Sequence, residues 1–205
     1  MSNSLARATL ARQACRLNAA SGNQRLPPLI LLTDDERLPD PLAAASALPR
    51  GSAVIVRARN NEKRFALGIA LREIAHGNGL FLLVADDPQL AVKIYADGIH
   101  LPEKRAHEAT HWRATHPDWF ITCAAHSARA AMNVKAADAV LLSPVFATQS
   151  HPERAPLTPM RLRFMARNIP ASVYALGGID SRNAMRLRDA PLAGLAAISA
   201  LRHEI

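Results

Sequence analysis

The chain of 205 residues holds only two cysteines, 4% aromatic residues and, among 25 basic residues, just four lysines. Cys15 and Cys123 lie far apart, which excludes the dense disulfide framework of a small secreted domain. Both read as reduced thiols of a cytoplasmic protein, with Cys123 inside an apolar run and assigned to packing. No apolar run approaches the ~18 residues that cross a bilayer, so no membrane span is expected. The scarcity of aromatics, with no helix-turn-helix, RNA-recognition or zinc-finger pattern, argues against a nucleic-acid partner despite a formal charge of +8. The arginines are scattered and read as solvated. Acid is missing from the whole N-terminal stretch, where the first acidic residue is Asp34. Residues 1–25 carry Arg7, Arg12, Arg16 and Arg25 among Ser and Ala, a composition shared by transit peptides and by amphipathic helices. The helix is the reading adopted, with Leu5, Leu10, Ala11, Cys15 and Leu17 turned inward.

What is present is a repeated unit. A short apolar run, a polar turn and a helical stretch recur along the chain. The runs are 28–32, 53–56, 80–84, 98–101, 120–125, 139–142, 172–176 and 194–198. They are rich in Val, Ile and Leu and largely unalternating, the pattern of strands buried on both faces. Helices are predicted over 61–75 with Gly77 as C-cap, then 88–95 after Asp86 and Asp87, 104–115, 127–135, 158–167 and 181–188. Eight such units imply an α/β fold, a (β/α)8 TIM barrel, with a short doubly wound sheet as the competing arrangement. Residues 1–27 read as an N-terminal helical extension and 28–205 as a single barrel domain. The eighth helix is truncated. The groove beside the last strand is therefore expected to be covered by the N-terminal helix or by a partner subunit in a homodimer.

In such a barrel the chemistry gathers where strands end. Thr33 and Asp34 follow the first strand, Arg57 and Arg59 the second, Asp86 and Asp87 the third, His100, Glu103 and Arg105 the fourth. His126 and Ser127 follow the fifth, Thr148, Ser150 and His151 the sixth, Gly177 and Gly178 the seventh, Ile198 and Ser199 the eighth. The paired glycines let backbone approach an anion, and a Cβ at Gly178 is expected to intrude on that cradle. Arg57 and Arg59, two apart, would share one face of a regular strand and clamp a second anion. Asp86 is an oxygen ligand of the kind Mg2+ takes. Each feature has a plain alternative: a turn, rim arginines, a helix cap. His107, His111 and His116 lack a nearby acid or cysteine cluster, so they do not suggest a metal site. No G-x-S-x-G elbow supports a serine nucleophile.

In this order the rim residues resemble a known family. The motifs are T-D at 33–34, R-x-R at 57–59, V-A-D-D at 84–87, A-D-G-I-H-L at 96–101, A-H-S at 125–127, S-P-V-F-A-T at 143–148, A-L-G-G-I at 175–179 and A-I-S at 197–199. Over residues 28–200 the chain is similar to thiamine phosphate synthase and its TenI-like relatives. The resemblance implies a coupling of hydroxymethylpyrimidine pyrophosphate to a thiazole phosphate, giving thiamine phosphate and pyrophosphate. Departure of pyrophosphate leaves a pyrimidine cation that the thiazole nitrogen attacks. The same resemblance implies that Arg57, Arg59 and Asp86 act on the pyrophosphate, Asp86 as a Mg2+ ligand. It places Thr148, Gln149, Ser150 and His151 with Gly178, Ile198 and Ser199 around the thiazole phosphate.

The departures fall on one side. The family pattern Q-x-R-x-K has Ile55 for its Gln and Arg59 for its Lys. Ala85 replaces an Asn, Ala124 a Ser and His151 a Lys. Arg105 stands where a second Mg2+ aspartate belongs, which puts Mg2+ in doubt: Arg105 is expected to pair with Asp86, and either it binds substrate with Arg57 and Arg59 in place of Mg2+ or the site no longer ionises a pyrophosphate. Pro144 replaces the His of TenI-like thiazole tautomerases. Two functions remain open: a transferase with an altered pyrophosphate pocket, or a degenerate barrel that binds thiazole phosphate or thiamine phosphate without turnover.

Overall fold

The computed structural model of the chain describes residues 3–148 and 155–202. Eight parallel strands close in sequence order: β1 (Leu29–Leu32), β2 (Ala53–Val56), β3 (Phe81–Ala85), β4 (Gly98–Leu101), β5 (Phe120–Ala125), β6 (Ala139–Leu142), β7 (Ser172–Leu176) and β8 (Gly194–Ala197). β8 returns to β1, with Ile30 opposite Ala196. The fold is the expected TIM barrel.

Burial on both strand faces explains the unalternating runs. Ile30, Leu32, Ile55, Leu83, Leu141 and Tyr174 fill the barrel interior. Their neighbours Leu29, Leu31, Val54, Val56 and Leu142 face outward, into a layer shared with the helices. Tyr174 is fully buried, and its hydroxyl donates to the Pro27 carbonyl at 2.6 Å. A buried phenol needs such a partner.

Around the strands lie α1 (Asn3–Ala20), α2 (Pro41–Ser46), α3 (Asn61–Asn78), α4 (Pro88–Lys93), α5 (Ala109–Thr115), α6 (Ala128–Met132) and α7 (Pro159–Asn168). The sequence reading missed α2, six residues capped by Asp40, whose side chain accepts from the Ala43 amide. α3 runs past the expected stop at Gly77. It ends at Gly79, which takes a left-handed φ of 62°. The expected helix over 104–115 is a 3-10 turn, Glu103–Glu108, followed by α5. That over 181–188 is only a 3-10 turn, Ala184–Leu187.

After β8 comes a further 3-10 turn, Ser199–Leu201. α1 packs against β8, β1 and both of these late turns. Leu10, Ala11, Ala14 and Leu17 are its buried apolar residues. Two expected inward residues differ: Leu5 and Cys15 are exposed. Polar Gln13 and Asn18 are buried instead. Asn18 explains its own burial, since its amide donates to the carbonyls of Asn23, Leu26 and Ala193. It ties α1 to the chain on both sides of the barrel closure.

Candidate functional site

A cavity of about 610 Å³ opens at the C-terminal ends of the strands. Its described lining comes from residues that follow nearly every strand.

One end is backbone. Gly177 and Gly178 line it, as do Ile198, Ser199 and Ala200. The turns after β7 and β8 therefore converge on one space, as the sequence reading required. The glycine turn is held from behind. Leu176 and Gly177 carbonyls accept from the amides of Val145 and Phe146, each at 3.0 Å. The Gly178 carbonyl accepts from Asn183 Nδ2 at 2.7 Å. Asn183 is in turn fixed by mutual bonds with Asp180. With its carbonyls engaged, the turn has amides left for a ligand. Opposite, Ser199 and Ala200 open a 3-10 turn, and first-turn amides have no acceptor within their own helix. Among the described residues no carboxylate lines this end.

Gly178 sits at φ 66°, a conformation that L side chains rarely adopt. A Cβ there would lie 2.5 Å from the Ala147 carbonyl oxygen and 2.9 Å from Phe146 Cβ. The intrusion is thus on the loop after β6, not on the cradle as expected. Thr148 lines the cavity from that loop. Gln149, Ser150 and His151 lie outside the described residues.

The other end is made of charged side chains. β2 stops at Val56, so Arg57 and Arg59 lie in a loop and the shared strand face expected for them does not form. Arg57 lines the cavity and pairs with Asp34. Its amide donates to Thr33 Oγ1 and its carbonyl accepts from the same hydroxyl, both at 2.7 Å. Arg59 points elsewhere: it pairs with Glu36 at 2.8 Å, is 80% exposed and does not line the cavity.

Two arginines the sequence reading overlooked do line it, Arg37 and Arg64. Arg37 bonds Asp34 at 2.7 Å. Arg64, on α3, is held by the Ala58 carbonyl at 2.8 Å and reaches Asp87 at 3.5 Å. Neither follows a strand directly, so a reading confined to strand ends passes over them. Burial alone would raise the Asp34 pKa. Hydrogen bonds and charge from Arg37, with the charge of Arg57, hold it well below the usual carboxylate range.

At the end of β3, Asp86 lines the cavity while Asp87 caps α4 through the Leu90 amide. The expected pairing of Asp86 with Arg105 is present at 2.6 Å. Arg105 also forks onto Glu108, Nε to Oε1 at 2.6 Å and Nη2 to Oε2 at 2.7 Å. Glu108 and then Asp86 push the guanidinium pKa further up. Arg105 itself does not line the cavity and acts on it through Asp86.

His100, Glu103, His126 and Ser143 also line the cavity. His100 is buried, with Nδ1 2.9 Å from Thr122 Oγ1. Burial, reinforced by the Arg57 charge, lowers its pKa to about 4, so the imidazole is neutral near pH 7. His126 lies 3.1 Å from Ser143 Oγ, and its amide donates to Glu103 Oε2 at 2.7 Å. Among the described residues no group of three or more His, Cys, Asp or Glu is arranged to hold a metal.

Barrel and rim together define a (β/α)8 protein with an open cavity at the C-terminal ends of its strands, a class that many chemistries share. The narrower assignment comes from comparison. The family model described as thiamine monophosphate synthase matches residues 29–201, and the chain belongs to that family. It is 30% identical over 193 residues to a thiamine-phosphate synthase of Alcanivorax borkumensis, covering 86% of each chain. It is 32% identical over 117 residues to a putative thiamine-phosphate synthase 2 of Aquifex aeolicus, covering 56% of this chain and 62% of that one. It is also 30% identical over 180 residues to a bifunctional thiamine biosynthesis protein of Geobacter sulfurreducens, covering 84% of this chain but 36% of that one. The chain thus spans less than two thirds of the Aquifex and Geobacter proteins. Among solved structures, a thiamine phosphate pyrophosphorylase from Pyrococcus furiosus superposes with a TM-score of 0.70 at 23% identity. That superposition covers 83% of this chain and 85% of the other.

Thiamine-phosphate synthases are generally Mg2+-dependent. The residues here do not fit that ion. Mg2+ asks for several oxygen ligands in near-octahedral order. The carboxylate expected beside Asp86 is a guanidinium, and it already occupies Asp86 Oδ1. Glu103, the other acid in the lining, is engaged by the His126 amide.

Proposed function

We propose that this chain joins a hydroxymethylpyrimidine pyrophosphate to a thiazole phosphate, releasing pyrophosphate and thiamine phosphate. The observation that carries the reading is the convergence of the Gly177–Gly178 turn and the Ile198–Ala200 turn on one cavity. Their amides would hold the thiazole phosphate, with Thr148 beside them. Arg57 and Arg64 would face the pyrophosphate. The carbon–oxygen bond to pyrophosphate breaks with its electron pair leaving on oxygen. The thiazole nitrogen then donates its pair to the exocyclic carbon. Such chemistry asks the protein for positioning and charge stabilisation rather than for a nucleophile of its own. A neutral His100 and a floor of Leu32, Ala85 and Ala124 suit a heterocycle better than an ion.

The family names thiamine biosynthesis as the setting. Two free thiols accord with the cytoplasm. A second reading has its own support: the Arg105–Asp86 pair favours a barrel that binds thiamine phosphate without turnover. The deciding experiment incubates both substrates with the chain, with Mg2+ and with EDTA, and follows thiamine phosphate by chromatography. Product above the uncatalysed rate sustains the transferase. Absence of product with tight calorimetric binding of thiamine phosphate sustains the binding protein. Absence of both rejects the ligand class.

A further inference from the structure

We propose that Arg105 is a built-in replacement for a divalent cation, so that the cavity takes its anionic ligand metal-free and leaves Mg2+ unbound at Asp86. The proposal rests on the reading of the cavity as a phosphate-ligand site.

Asp86 presents a carboxylate to the same space that would receive a phosphate. Left alone, it would repel that ligand. Elsewhere a divalent cation can bridge such a carboxylate to a phosphate. Here the guanidinium of Arg105 pairs with it, while Glu108 holds the guanidinium from a side that does not line the cavity. The placement is over-determined. Nη1 donates to Asp86 Oδ1 at 2.6 Å and to the Asp86 carbonyl at 2.9 Å. Nε and Nη2 are clamped by Glu108. All three guanidinium nitrogens are engaged, so the group has no slack to swing aside for a metal.

Most of the oxygens a cation could use at this corner are likewise taken. Asp86 gives Oδ1 and its carbonyl to Arg105, so a cation there would have only Oδ2, beside the guanidinium charge. Asp87 gives Oδ1 to the Leu90 amide and Oδ2 to Arg64. Asp86 holds a left-handed φ of 56°, a conformation unusual for a non-glycine residue, and its amide donates to the His100 carbonyl at 2.9 Å. A hydrated cation would have to displace a guanidinium bonded at both ends and then sit beside its charge. Arg105 is therefore a positioning residue: it sets the charge of Asp86 without lining the cavity.

The test uses Mn2+ as a spin-active substitute for Mg2+ and inorganic pyrophosphate as the anion. Titrating the full chain with Mn2+ and following the free-ion resonance should show no uptake for the wild type and uptake for Arg105→Asp. Uptake by the wild type that Asp86→Asn abolishes would overturn the proposal. So would a folded Arg105→Asp that binds no more Mn2+ than wild type. In calorimetry, wild-type affinity for pyrophosphate in EDTA should match that in excess Mg2+ within about threefold, or exceed it. Arg105→Met should bind about tenfold more weakly in EDTA, since Asp86 is then uncompensated, and Arg105→Met/Asp86→Asn should recover most of that loss. A wild type whose affinity rises tenfold or more on adding Mg2+ would refute metal-free binding. Lack of pyrophosphate binding in both buffers would instead remove the pyrophosphate half of the proposed function, and the Mn2+ titration would still decide the role of Arg105.

Discussion

Gly178→Ala isolates the backbone end of the cavity. Two costs are legible in the structure. The first is conformational: at φ 66° an L residue gives up about 1–2 kcal/mol relative to glycine. The second is steric. The new methyl would lie 2.5 Å from the Ala147 carbonyl oxygen and 2.9 Å from Phe146 Cβ. That is closer than van der Waals contact and is directed at backbone, which yields less readily than a side-chain tip. Overpacking of this kind costs about 1–3 kcal/mol. Together they predict a loss of about 2–5 kcal/mol, or roughly 5–15 °C in Tm for a chain of this size. The loop after β6 is the part that must move, because Phe146 is bonded to the Gly177 carbonyl. Since that loop also carries Thr148, affinity for thiamine phosphate should fall alongside stability. Thermal melting and calorimetry on the same samples give both numbers. A variant with unchanged Tm and unchanged affinity would show that the turn is not held as described. A loss of Tm with intact affinity would detach the glycine turn from ligand binding.

Three other outcomes follow from buried groups. Burial lowers the folded pKa of His100 to about 4 from its ordinary 6.5. The unfolded chain therefore takes up its proton first, and stability present above pH 6.5 is lost as pH falls toward 4. The loss is about 3 kcal/mol in all, and denaturant titrations of His100→Asn should lack that part of the slope. Tyr174→Phe removes the 2.6 Å bond to the Pro27 carbonyl and should cost about 1–3 kcal/mol by chemical denaturation; a neutral result would mean that water satisfies that carbonyl. Cys15 is exposed, whereas Cys123 is buried and its thiol pKa is pushed up to about 12 by burial. A thiol reagent should label one site in buffer and two in denaturant, and native labelling of Cys123 would contradict its packing.

The barrel was readable because its strands are buried on both faces. Runs such as Ala139–Leu142 and Gly194–Ala197 carry apolar residues at successive positions, which no half-exposed strand would do. Helix ends were less legible. Gly77 and Gly79 are equivalent as residues, and only the left-handed turn at Gly79 makes it the cap. The helix expected at 181–188 shrank to a 3-10 turn, because the Asp180–Asn183 bonds fold that segment back to hold Gly178. Cys15 was misassigned to the inner face of α1. Polar Gln13 and Asn18 take buried positions there, and three carbonyls reward Asn18 in a way no periodicity can announce.

The site divides by the same logic. The end proposed for the phosphate is built around a backbone turn, and the paired glycines at the strand end mark that turn in the sequence. The charged end depends on which side chains reach in, and reach is a property of loops. Arg59 was expected in the cavity and turns out to Glu36, because β2 ends at Val56 and the two-residue face rule no longer applies beyond it. Arg37 and Arg64 enter from a turn and from a helix, where no strand-end rule would look. One replacement can therefore invert the electrostatics of that end while leaving the other untouched. In the proposal above Arg105 does so: it sets a guanidinium against Asp86 where a second aspartate would favour a cation. The barrel, the glycine turn and family membership all persist through that change, so catalytic competence has to be decided at the charged end.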